Sequence, residues 1–173
     1  MSTPRYAPGQ ERAPVNPPLD VPKEPRYIEG YWEQSIPFES RQQIQCMDIT
    51  DLVRSLVRKL PVSEGTVDIW NLHTTSGLLV NEYEPYLMQD FLQRIADQFP
   101  KEDTFLHNNQ PLSGCTRGNA DAHLRTIASC TQHVSVPIIQ GGLGLGPYQS
   151  IIFAEFDGPR LRTLYMRTHR AKP

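Results

Sequence analysis

Three histidines stand where their type and setting can do chemistry: His73 in IWNLHTTSGLLVNE, His107 in FLHNN and His123 in GNADAHL. Imidazole ligates first-row metals and titrates near neutrality, so three convergent imidazoles would form a metal-centred or acid–base site. They lie 34 and 16 residues apart (73 to 107, 107 to 123), which matches no local metal motif, so convergence must come from the fold. Singly, each reads equally well as a satisfied scaffold residue. His133, ahead of a strand in a polar setting, and His169, in the basic run RTHRAKP, read as solvated.

Other polar groups cluster around the same segments. Thr74 and Thr75 follow His73 directly and can hydrogen-bond a phosphate or orient the ring. His123 is the fourth residue after Asn119, a residue type suited to a helix N-cap, and by helical spacing it shares a face with Ala120 and Ile127. Glu155 alternates with Ile151 and Phe153, which places it on their face together with Asp157. A carboxylate on an apolar face needs a partner or a role, and Arg160 and Arg162 are near enough to be counter-charges or to bind phosphate. Glu82 ends a strand beside Asn81. The glycine-rich run from Gly141 to Gly146 lacks the G-x-G-x-x-G order and leads into a strand, so it reads as a turn or a close backbone approach.

The elements that must position these groups follow from periodicity. Residues 1–27 hold seven of the 16 prolines and almost no aliphatic residues, and read as an extended or disordered tail; the folded domain is expected over 28–173. Short strand-like runs fill 28–46. Capping side chains from Asp48 to Asp51 precede the helical stripe Leu52, Val53, Leu56, Val57 and Leu60, which Pro61 ends. Thr66 to His73 reads as a strand, 74–77 as a turn and Leu78 to Glu82 as a resumed strand. Pro85 to Phe99 reads as a helix with Tyr86, Phe91, Leu92, Ile95 and Phe99 mostly inward, followed by a largely irregular stretch to Gly118. A third helix runs from the Asn119 cap to about Cys130. Strands follow at 134–139, 148–156 and 161–168, the last two joined by Asp157 to Arg160 as a tight hairpin. Strands and helices are grouped and do not alternate, which makes an α+β domain.

Bulk properties exclude several classes. A chain of 173 residues is one domain by size, and a net charge of −2 gives no basic field for nucleic acid or anionic membrane. No run of 18 apolar residues occurs, and the start MSTPRYAPGQER has no apolar leader segment, so a cytoplasmic protein is expected. Cys46, Cys115 and Cys130 are odd in number and widely spaced, which argues against a disulfide framework and a thiolate zinc site.

DIT at 48–50, HTTSGLLVNE at 73–82, GNADAHL at 118–124, LGLGPYQSIIFAEFDGPR at 143–160 and RTLYM at 162–166 together closely resemble the YjbQ-like family, also labelled the secondary thiamine-phosphate synthase enzyme family. The resemblance covers roughly residues 28–168. It implies an α+β fold built on a β-sandwich with about three helices, assembled as a homotrimer with sites near the subunit contacts. It implies His73, His107 and His123 as ligands of a divalent metal, with zinc foremost, and Glu82, Glu155, Asp157 and Asn119 as site-lining groups. Thr74, Thr75 and Arg160 join them as candidates for holding a phosphorylated small molecule. The family label implies joining a pyrimidine diphosphate to a thiazole phosphate with release of pyrophosphate. A metal-dependent hydrolase uses the same residues, and so does a non-catalytic metal- or metabolite-binding trimer. This chain departs from the family at Pro147 and Tyr148, where threonine and tryptophan are usual, and at Phe105, where tyrosine is usual. The insertion-like NNQPLSGCTR before Gly118 is expected at the pocket mouth.

Overall fold

The computed structural model describes residues 20–101 and 104–171. Two antiparallel sheets pack face to face. The larger has the strand order β1 (Arg26–Ile28), β2 (Tyr31–Glu39), β9 (Leu161–Arg170), β4 (Gly65–Asn71), β6 (His133–Ile139) and β7 (Gly142–Leu143); the smaller has β3 (Gln45–Asp48), β8 (Ser150–Glu155) and β5 (Ser76–Asn81). The expected α+β sandwich is thus the observed fold.

Period-two alternation explains the larger sheet. Val134, Val136 and Ile138 of β6 are buried while the residues between them are exposed, as in a sheet with one face on a core. With Val67, Ile69, Leu164 and Met166 they meet Leu78, Ile151 and Phe153 of the smaller sheet, and Phe38 packs edge-on against Phe153 with ring centroids 4.8 Å apart. The opposite face of the smaller sheet, including Ala154, is covered by α2 (Pro85–Gln98) and α4 (Ala120–Ser129) through Ile95 and Ala122. Strand β8 is therefore buried on both faces, which is why it reads as a continuous apolar run.

The helix α1 (Thr50–Val57) packs against β7 and β8, with Val53 and Val57 buried. Asp48 accepts a hydrogen bond from the Thr50 amide at 2.8 Å and fixes the helix start. In α2, Glu84 accepts from the Leu87 amide at 2.7 Å, and Pro85 occupies the first turn, where its missing N–H costs nothing.

Several expectations need correction. The described part of the expected tail, residues 20–27, is extended and joins the domain: the Ser35 amide donates to the Pro22 carbonyl at 2.7 Å, and Arg26 opens β1. The expectation for residues 1–19 lies outside the described residues. Tyr86 is 74 % exposed and Ile127 is 78 % exposed, because each helix buries only the side facing the smaller sheet. The stretch after α2 includes a 3₁₀ turn at Leu106–Asn108 and the short α3 (Gln110–Ser113). Asp157 to Arg160 is not a hairpin: β8 and β9 lie in different sheets, so the segment crosses between them. It lies against the neighbouring crossing from β2 to β3, with the Ser40 amide donating to the Arg160 carbonyl and the Gly158 amide to the Gln43 carbonyl. A Cβ at Gly158 would collide with the Gln42 carbonyl oxygen, so only glycine permits this approach.

Candidate functional site

His73 lies two residues beyond β4, which ends at Asn71 and not at the histidine. The Asn71 side chain donates to the His73 carbonyl at 2.8 Å and shapes the turn. Antiparallel pairing aligns Asn71 with Leu164, so the chain beyond Asn71 runs beside Thr163 and Arg162. There the Thr163 amide donates to His73 Nε2 at 2.8 Å. Burial lowers the His73 pKa, the Arg162 charge lowers it further, and Glu155 opposes them, with the balance favouring the neutral ring.

His123 is carried by the first half of α4. The expected Asn119 cap is a backbone N-cap whose side chain does something else: its Nδ2 donates to Asp157 Oδ2 at 2.8 Å. Asn108 supplies the side-chain contact, its Oδ1 accepting from the Ala120 amide at 3.0 Å. At its other end α4 is tied to α2 by Arg125, whose Nε and Nη2 donate to the Phe99 carbonyl at 3.0 and 2.7 Å. The Asn108 bond also brings the neighbouring His107 to α4, and the His107 and His123 rings meet edge to face with centroids 4.9 Å apart. Burial lowers the His123 pKa, and His107 lowers it further, against Asp157, the Thr74 carbonyl and Asp121.

These histidines share one cavity of about 640 Å³ with Thr74, Thr75, Asn119 and Arg162. The insertion-like segment forms another wall through Ser113, Gly114, Cys115, Thr116 and Arg117. None of the lining residues is acidic. Below the wall, Glu155 is 0 % exposed and Arg162 4 % exposed. Glu155 Oε2 accepts from Arg162 Nε at 2.6 Å, Arg162 Nη2 donates to Glu155 Oε1, and Nη2 also donates to Thr75 Oγ1 at 3.0 Å. Asp157 is bound by Asn119 and by Arg160, whose Nη2 donates to it at 2.9 Å.

The fold thus gathers His73, His107, His123, Thr74, Thr75 and Asn119 at the cavity, with Glu155, Asp157 and Arg160 behind or beside it. Glu82 is not brought there within this chain; it follows β5 at the end away from Ser76, roughly 20 Å along the strand direction. Arg117 and Cys115 are not expected as site residues from the sequence, although the insertion that holds them is visible there. Arg162 carries a usable signal: it alternates with Leu164 and Met166, and a charge on a buried face requires a partner.

A metal held by all three imidazoles needs a free nitrogen lone pair on each. The His107 and His123 rings adjoin each other, whereas the His73 Nε2 lone pair is taken by the Thr163 amide. Among the described residues, no group of three His, Cys, Asp or Glu side chains stands in metal-holding geometry. Of the three, His107 and His123 are the imidazoles whose ring nitrogens are left for a metal by the His73 bond.

A β-sandwich with one helical layer and a polar, carboxylate-free cavity at its edge defines the class. A sequence model of the family described as "UPF0047 protein YjbQ-like" matches residues 34–171, and the chain belongs to that family. It is 31 % identical over 138 residues to a UPF0047 protein of Methanothermobacter thermautotrophicus, covering 80 % of this chain and 91 % of the relative. It is 32 % identical over 136 residues to the UPF0047 protein YugU of Bacillus subtilis, covering 78 % and 96 %. Among solved structures, a YbjQ-like protein of unknown function from Sulfolobus solfataricus superposes with a TM-score of 0.73 at 28 % identity, covering 82 % of this chain and 98 % of that one. A YjbQ/UPF0047 family protein from Clostridium acetobutylicum superposes with a TM-score of 0.69 at 31 % identity, covering 78 % and 98 %.

Proposed function

We propose that this chain is an enzyme acting on a phosphorylated small molecule, whose phosphate sits in the histidine-lined cavity. One observation carries the reading: Arg117, Arg162, three imidazoles and several hydroxyls line the cavity, and no carboxylate does. Such a lining offers hydrogen-bond donors and positive potential to an anion without a repelling charge. Each charge-assisted bond to phosphate contributes about 1.5–3 kcal/mol.

Within this reading His107 and His123 hold a divalent metal, zinc foremost, because neutral imidazole suits it. When bound, the metal would supply Lewis-acid stabilisation of charge on phosphate oxygens. The chain's own groups bind and orient: Arg117 neutralises, Arg162 offers the Nη1 hydrogens that its pair with Glu155 leaves over, and Thr74, Thr75 and Thr116 donate hydroxyl hydrogen bonds. The finer assignment is the secondary thiamine-phosphate synthase reaction, in which the thiazole nitrogen bonds to the pyrimidine methylene carbon as its bond to the diphosphate breaks and pyrophosphate leaves.

We read the assembly as a cytoplasmic homotrimer; exposed Ile127 beside the site supports a covering partner surface. No helix among the described residues is long and apolar enough to cross a membrane. Incubation of purified protein and zinc with the pyrimidine diphosphate and thiazole phosphate, followed by chromatography, should yield thiamine phosphate. The alternative is a non-catalytic metal- or metabolite-binding trimer. It is favoured by the state of the carboxylates: Glu155 is consumed by Arg162, Asp157 is bound by Asn119 and Arg160, and Glu82 lies away from the cavity. Tight phosphate binding without turnover on any phosphorylated substrate would select that alternative.

A further inference from the structure

We propose that His73 is locked as the Nδ1–H tautomer and serves as a fixed hydrogen-bond donor to the bound ligand, outside any metal centre. The Thr163 amide is a donor, so the His73 Nε2 facing it at 2.8 Å must present its lone pair. In a neutral imidazole the proton then resides on Nδ1. Ligation through Nε2 would orphan the Thr163 amide, and ligation through Nδ1 would require Nε2 to carry a hydrogen facing another donor. Neither is compatible with the bond observed.

The turn makes the tie structural. Asn71 holds the His73 carbonyl, and the β4–β9 register sets the ring against Thr163, so the imidazole cannot turn without breaking the sheet's last contact. Among the described residues, His73 Nδ1 has no protein acceptor. Arg162 uses Nε and Nη2 on Glu155 and Thr75, which leaves its Nη1 hydrogens without one as well. Both residues line the same cavity. Two rigidly mounted donors without protein acceptors call for an acceptor from a ligand, and a phosphate oxygen offers it. The ligand part rests on the anion-pocket reading above; the tautomer and the exclusion from metal binding do not.

The test is long-range ¹H–¹⁵N correlation of the imidazoles in the full-length labelled protein, with His73 identified by its disappearance in His73→Gln. Nδ1 should show a protonated, pyrrole-type shift and Nε2 an unprotonated, pyridine-type shift; the reverse pattern overturns the proposal. Added zinc should perturb His107 and His123 while the His73 pattern persists, and direct zinc coordination of His73 overturns it. Inorganic phosphate is then titrated calorimetrically. In His73→Gln the side-chain oxygen can still accept from Thr163, but the Nδ1 donor is gone, and binding should weaken about tenfold, the equivalent of about 1.4 kcal/mol. Unchanged affinity overturns the donor role. His73→Asn, which restores a donor near the Nδ1 position, should recover part of the loss, and equal loss in both variants counts against the donor. Should wild-type protein bind no phosphate, the anion-pocket reading falls, while the tautomer and metal spectra still decide the remainder of the proposal.

Discussion

Glu155 of β8 and Arg162 of β9 join the two sheets through a buried ion pair, with Glu155 Oε2 accepting from Arg162 Nε at 2.6 Å. The pair closes the end of the sandwich interior just below the cavity. It also aims the arginine, because Nη2 is shared with Thr75 Oγ1. Glu155 is thus a positioning group for the cavity wall.

Removing one partner should cost more than removing both. Glu155→Gln leaves the Arg162 charge buried without its counter-ion and should lower unfolding stability by about 3 kcal/mol. Glu155→Gln combined with Arg162→Met should be more stable than the sum of the single changes predicts. Urea unfolding of the four proteins measures this, and additive losses would count against a coupled pair.

Acid should weaken the fold through the two half-buried histidines. The pKa of His73 is depressed by burial and then by Arg162, and that of His123 by burial and then by His107. In the unfolded chain both titrate near the ordinary 6.5, so the unfolded state binds more protons between the folded values and 6.5. Their contribution is fully present above 6.5 and is lost as pH falls from there through the folded values. Urea midpoints measured across this range with a chelator present should decline on acidification, and His73→Gln should show a shallower decline.

Thiol reactivity should separate the three cysteines. Burial pushes the Cys46 thiol up to about 12 and also raises that of Cys130, so neither presents much thiolate at neutral pH. All three are partly buried, but Cys115 is the one that lines the histidine cavity. A disulfide reagent should label Cys115 in the native protein, and Cys46 and Cys130 only on unfolding. Phosphate in the cavity should slow labelling of Cys115; fast labelling of Cys46 in the native state would contradict the burial argument.

Asn108 links the loop histidine to the helix histidine. Asn108→Ala removes the acceptor for the Ala120 amide and should lower stability by about 1 kcal/mol, read from the thermal midpoint. Because His107 adjoins it, zinc affinity measured by calorimetry should fall with it. A stability loss with unchanged zinc binding would mean that the 3₁₀ turn is held by other contacts.

Much of the fold was legible locally. The strand expected at 134–139 is β6, and the apolar stripe from Leu52 to Leu60 before Pro61 marks the helix α1. Glu155 was assigned to the face of Ile151 and Phe153, and all three are buried. The hairpin expected at Asp157 to Arg160 failed because turn residues report local backbone freedom and not which sheet receives the next strand. Helical spacing alone puts Tyr86 inward and groups Ile127 with Ala120 and His123, but a helix in an outer layer has one packed side, and only its docking angle selects it.

The sequence by itself determined the main strands and helices and the family, because burial periodicity and backbone preference act over a few neighbouring residues. The tertiary structure alone decided which side chains meet. His107 touches His123 because Asn108 docks the loop on α4, and His73 faces Thr163 because β4 and β9 pair in one register. These contacts join residues far apart in the chain, and a shift of one residue in that register would place a different backbone group beside the imidazole. The proton position on His73, and therefore whether it donates to a ligand or binds a metal, is a property of the sheet and not of the motif that contains it.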